Sequence, residues 1–224
     1  SFYHLIKNLA TSRLLRNDGR CSTLHGFQRS DTERFRDRRH DKYITVLINL
    51  IYLSAFHEAR EVESIGNTTF SNNGDITVEG NSTKGSNGAL RFYGTFSVTD
   101  AGNISLSGNS ADQYNGAIEV TGNTSFTRTG NISMDNNTAG WHYGVGQFHG
   151  NLSFANTGDI SISGNKSTDY GYGALLVDGK TSFVNTGKVT ISGNSAKWDV
   201  GALQGANGLE FINNRGGVLI ENNS

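Results

Sequence analysis

The chain has 224 residues, a net charge of -1, and 29 Gly against no Pro, one Cys and one Met. With that much Gly, and only 17% of residues charged, a long helical bundle is excluded. The lone Cys21 excludes a disulfide scaffold, and the near-neutral charge argues against nucleic acid held by bulk electrostatics.

The first stretch differs from the rest. Residues 1–60 carry 11 Lys and Arg against 6 Asp and Glu, a net of +5, whereas residues 61–224 carry 8 against 14, a net of -6. Only Gly19 and Gly26 precede the boundary. Residues 1–40 form a basic segment to which no role is assigned. Residues 41–64 contain the apolar run Tyr43–Phe56 behind the basic stretch Arg34–Lys42. That run is short for a membrane span. Basic residues, a short apolar run and a polar stretch are the order of a secretory signal, with a cut before Ile65. The competing reading is a hydrophobic cap on the domain that begins at residue 65.

From Ile65 the chain is a tandem repeat. Six copies align, among them NTSFTRTGNISMDNN, NLSFANTGDISISGN and KTSFVNTGKVTISGN. Phe70, Phe96, Phe126, Phe154, Phe183 and Phe211 form one column. Asn81, Asn109, Asn137, Asn165, Asn194 and Asn223 form another. A Gly column runs from Gly74 through Gly102, Gly130, Gly158 and Gly187. Gly88, Gly116, Gly144, Gly173 and Gly201, each followed by Ala or Val, recur at 28, 28, 29 and 28 residues.

Each copy reads as three short strands of alternating character: T-S-F, I-S-I-S, and the run after Gly-Ala. Period-two alternation buries one face and wets the other. Three such strands cannot bury their inner face alone, but stacked copies can. Equivalent residues then lie about 4.8 Å apart, Phe, Ile and Leu ladders fill the bore, and the Asn column pairs amide to amide where stacked carboxylates would repel. The predicted fold is all-β: a parallel β-helix of about six 28–29-residue coils over residues 65–224, after an N-terminal non-repeat segment. Propeller blades, hexapeptide helices and calcium-binding nonapeptides do not match the repeat length or motifs.

The run S-G-N-S-A-x(4)-G-A-[LI], at Ser107–Ile118 and Ser192–Leu203, resembles the repeats of bacterial autotransporter passenger domains, above all the chlamydial polymorphic outer-membrane proteins. Their FxxN tetrapeptide has counterparts at Phe70–Asn73 and Phe211–Asn214. Their GGA[ILV] tetrapeptide here loses its first Gly, as in NGAL, NGAI, YGAL and VGAL. The resemblance covers about residues 65–224. It implies a secreted or surface-displayed passenger on the bacterial outer membrane, adhesive or structural in function and non-catalytic, with host-surface glycans or proteins as partners. It implies membrane association only through export or a C-terminal barrel. The chain lacks a starting Met and stops in mid-coil, so a fragment of a longer protein is expected. The alternative is part of a β-helix polysaccharide lyase or hydrolase whose active site lies in other coils.

Within the repeat no catalytic constellation is visible. Asp75 and Asp159 occupy a position held elsewhere by Asn103, Asn131 and Lys188, which marks a turn. His142 and His149 lack partners at ligand spacing, so neither metal nor cofactor is expected. One feature exceeds the coil's own needs. Aromatics recur before the Gly-Ala pair: Tyr114, then Trp141 and Tyr143, then Tyr170 and Tyr172, then Trp198, accompanied by Asp112, Asp169 and Asp199. They are candidates for an edge that stacks on sugar rings or a partner protein. The competing reading is that they shield the edge of the core.

Overall fold

The computed structural model describes residues 62–224 throughout. Before them it describes only the backbone of four short strands, Leu14–Leu15, Cys21–Ser22, Ile44–Thr45 and Ile51–Leu53. The export and capping readings of segment 41–64 rest largely on residues outside this description, as does the whole question of 1–40.

The protein is a parallel β-solenoid. Four sheets run along the axis, of seven, seven, five and six strands. Sheet I takes one strand per coil from the T-S-F run, such as Thr124–Thr129 and Leu152–Ala155. Sheet II takes I-S-I-S, such as Ile160–Ser163. Sheet IV takes the segment after Gly-Ala, such as Ile118–Val120. Sheet III was not anticipated. It consists of two-residue strands directly after the Asn column, such as Ser110–Ala111 and Thr138–Ala139. Each coil thus has four strands and not three. Two residues carry too little alternation to read as a strand, and here the neighbouring Asn ladder holds them in register.

The stack also begins upstream of Ile65. Val62–Ile65 pairs in parallel with Leu90–Tyr93, so a cut before Ile65 would fall inside a strand.

Alternation places the core as expected. Ile104 and Leu106, Ile160 and Ile162, and Val189 and Ile191 point into the bore and are buried. Each large apolar side chain so placed contributes roughly 1.5–3 kcal/mol, which is how a chain only 35% hydrophobic sustains a core. Phe126, Phe154 and Phe183 are fully buried, and Phe70 and Phe211 are partly so near the two ends. Ring stacking runs Phe126–Phe154–Phe183–Phe211 at centroid distances of 5.2, 4.9 and 4.9 Å.

Phe96 departs from the expected column. Val98, not Phe96, pairs with Phe70 and with Phe126, while Phe96 pairs with Thr68 and Thr124. The turns set the register, and Phe96 lies two residues ahead. A shift of two keeps the same inward face, so Phe96 still meets Phe70 and Phe126 edge-on at 5.7 and 5.9 Å and stacks on Phe92 at 4.4 Å.

The Asn column is a continuous ladder on the inner side of the turn into sheet III. Asn109, Asn137, Asn165 and Asn194 are fully buried, and Asn81 nearly so. In each, Nδ2 donates to Oδ1 of the next Asn, at 2.9 Å from Asn81 and 3.1 Å from Asn109 and Asn137. The same Oδ1 also accepts the backbone N–H of the preceding Asn, and Asn223 takes the last rung. From Asn109 onward Nδ2 also bonds a core-strand carbonyl, such as Leu106 O for Asn137. Every polar atom of the amide is thereby used inside the protein.

The Gly of the Gly-Ala pair has a steric cause. A Cβ on Gly116 would lie 1.9 Å from the carbonyl oxygen of Gly144, and one on Gly173 would lie 1.9 Å from that of Gly201. Successive coils close on each other there, and backbone cannot yield as a flexible side chain would. Gly173→Ala is expected to destabilise by about 1–3 kcal/mol through forced backbone displacement. A denaturation midpoint equal to wild type would refute the close-approach account.

Candidate functional site

The turn between sheets III and IV carries the aromatic residues. The register sorts them into separate columns. Trp141 follows Gln113 and precedes Tyr170, each joined to its neighbour by a backbone hydrogen bond of 2.7 Å. Trp198 lies in the same turn one coil on, 28 residues after Tyr170. These three rings are 46, 61 and 69% exposed. Tyr143 belongs to a second, inner column, where bridge pairing places it after Asn87 and Asn115, and Tyr172 follows one coil on. Both tyrosines are half-buried and stack at 5.6 Å. Tyr114 lies between the columns, 39% exposed, stacked on His142 at 5.0 Å and edge-on to Trp141 at 6.1 Å.

The two columns therefore behave differently. Tyr143 and Tyr172 stack as the core Phe rings do. Burial, reinforced by Tyr172 and the Asp178, Asp199 and Glu119 carboxylates, pushes the Tyr143 phenol up to about 12. Burial and the same two aspartates also raise the Tyr172 phenol. By contrast, Trp141 and Tyr170 stand in register, and neither they nor Trp198 stack on one another. Among the described residues Tyr170 and Trp198 stack on no ring at all. The Lys197 ammonium lies 5.7 Å from the Trp198 centroid.

Sequence reasoning missed the surface beside this turn. The outer face of sheet I repeats Ser97, Ser125, Ser153 and Ser182. That of sheet II repeats Ser105, Ser133 and Ser161. Sheet IV instead shows Arg91, Glu119, Gln147, Leu176 and Gln204 in a single column. Next to it His149 Nδ1 lies 2.9 Å from Asp178 Oδ2, and His149 Nε2 lies 3.7 Å from Glu119. Gln147 donates to the same Asp178 at 3.3 Å, and Arg91 lies 3.1 Å from Glu119. The legible signal was a broken repeat: the central outward position of sheets I and II is mostly Ser or Thr, and this one is not. A groove of about 340 Å³ joins this face to the turn, lined by Arg91, Tyr114, Glu119, His142, Tyr143 and His149 among others.

The acidic turn column has the structural role its register suggested. Asp75, Asn103, Asn131 and Asp159 each accept the backbone N–H of the equivalent residue one coil on, at 2.7 to 2.9 Å. In each, Oδ1 is occupied as a turn cap. His142 and His149 belong to the aromatic edge and the sheet IV face respectively. Among the described residues no group of three His, Cys, Asp or Glu is placed to hold a metal ion, and no helix is long and apolar enough to cross a membrane.

Fold and surface together define the class: a regular parallel β-solenoid with two faces rich in Ser and Thr and an irregular aromatic and polar edge. No family model, no curated protein and no solved structure matches the chain.

Proposed function

We propose that this β-solenoid is a non-catalytic passenger of a bacterial cell surface, displayed or secreted, acting as an adhesin whose contact surface is the aromatic edge. The observation that carries the reading is the set of exposed rings, Trp141, Tyr170 and Trp198, in one turn of three successive coils. Large rings held in register by a rigid scaffold, with their faces open to water, add little to the core. They are the residue types that dominate contact surfaces, because they present much area at low cost in side-chain entropy. The regular coils support a stalk that carries this edge outward. The absence of a repeat-breaking loop in the sequence supports binding over turnover.

The double variant Trp141→Ala, Trp198→Ala separates contact surface from architecture. Both rings are exposed, so the thermal midpoint is expected to move by less than about 2 °C. Adhesion to host-cell monolayers is expected to be lost. A large drop in the midpoint with unchanged adhesion would assign the rings to architecture and leave the domain a spacer.

A further inference from the structure

The edge and the sheet IV face are continuous, and their chemistry narrows the ligand. The turn offers open ring faces at Trp141 and Tyr170. The adjoining face offers amide, imidazole and carboxylate groups at Gln147, His149 and Glu119, and a groove of about 340 Å³ joins them to the rings of Tyr114, His142 and Tyr143 in the same turn, within the range of small-ligand sites. Aromatic faces beside convergent hydrogen-bonding groups match a sugar, whose C–H face stacks and whose hydroxyls donate to carboxylate and amide oxygens.

Charge decides which sugars. Asp112, Glu119, Asp169, Asp178 and Asp199 lie on the turn and sheet IV, against Arg91, Lys197 and, one coil before Asp112, Lys84. Arg91 and Lys197 are already engaged. Arg91 lies 3.1 Å from Glu119 with its guanidinium 4.7 Å from the Tyr93 centroid. Lys197 lies 3.4 Å from Asp169 and over Trp198. A sulfate or sugar carboxylate would therefore meet carboxylates with the guanidinium and ammonium already paired. Where Arg91 and Lys197 sit between ring and carboxylate, a basic peptide would meet the chain's own cations.

We propose that the aromatic turn and the outer face of sheet IV form one binding site for an uncharged glycan, and that this site discriminates against sialylated and sulfated glycans. The proposal rests on the contact-surface reading above and adds the ligand class.

The test uses the full chain on immobilised probes: N-acetyllactosamine and mannose oligomers, the same N-acetyllactosamine oligomers carrying sialic acid or sulfate, and oligolysine. At least one uncharged glycan is expected to bind, and its charged counterparts about tenfold more weakly or worse. Trp141→Ala with Tyr170→Ala should weaken the uncharged complex about tenfold. Asp112→Lys with Asp199→Lys should narrow the gap to the sulfated glycan, a gain that misfolding cannot produce. Periodate oxidation of host-cell glycans should abolish adhesion. Equal or tighter binding of the charged glycans, binding of oligolysine in their place, or adhesion that survives periodate would overturn the glycan assignment while leaving the adhesin reading standing. Failure to bind either cells or glycans would remove both.

Discussion

Phe154→Ala is expected to cost about 3–5 kcal/mol, more than the same change at Phe211. Phe154 is fully buried and lies between Phe126 and Phe183, at 5.2 and 4.9 Å with planes within 7° of parallel. Removing it opens a gap that the stack cannot close. Coil spacing is set by ladder hydrogen bonds between Leu152–Ala155 and the strands on either side, so neighbouring rings cannot slide together without breaking them. The loss therefore combines transfer, cavity and two ring contacts. Phe211 stacks on one ring only, Phe183, and is incompletely buried. Stability in a solenoid is a sum over neighbouring coils, so a defect at Phe154 weakens two interfaces. Denaturant midpoints for the two variants check this. Equal losses would mean that the stack does not transmit stability between coils.

Much of this architecture was legible because the repeat constrains it. The column from Asn109 to Asn194 could be read directly, since an amide, unlike a carboxylate, both donates and accepts along a stack. The Gly of Gly116 and Gly173 was visible as a column, but its cause, carbonyl oxygen in the space a Cβ would need, is a matter of coil-to-coil distance that a one-dimensional pattern does not contain. Register was harder. Phe96 looks like a column member by residue type, yet hydrogen bonding at the turns places Val98 there. Type and position separate whenever a shift of two residues preserves the inward face.

The candidate site was half legible. Aromatics before Gly-Ala stand out by composition. Their division into exposed rings at Trp141, Tyr170 and Trp198 and a stacked inner pair at Tyr143 and Tyr172 depends on how successive coils lie on each other, and so required the structure. Glu119, Gln147 and Asp178 escaped notice, and His149 was read without partners, because the groups they meet lie in other copies. Only stacking brings residues 29 to 31 positions apart into contact, as with Gln147 and His149 around Asp178.

The buried amide ladder makes the sharpest forecast about pH. Asn137 donates its backbone N–H and one Nδ2–H to Asn165 Oδ1 at 2.9 and 3.1 Å, and Nδ2 also donates to Leu106 O at 2.8 Å. Its Oδ1 accepts two bonds from Asn109. Asn137→Asp keeps the shape and reverses two of these roles. The new carboxylate oxygen would face the Leu106 carbonyl and the Asn165 Oδ1 with no proton to give. Burial and facing acceptors both disfavour the charged form, so the folded-state pKa of this Asp would rise above its unfolded value of about 3.9. Between the two pKa values the folded state holds the proton and the unfolded state does not, so stability falls as pH rises through that window. Below about pH 3.9 the acid is neutral in both states and still donates one bond, which leaves a deficit of about 1–3 kcal/mol. Near neutral pH the deficit should grow to about 3–5 kcal/mol or more, the cost of an uncompensated buried charge. Denaturant midpoints of variant and wild type, compared at pH 7 and at pH 3.5, measure the difference. A deficit of the same size at both would show that the ladder accepts a carboxylate as readily as an amide, and the preference for Asn along this column would then need a cause other than its hydrogen bonds.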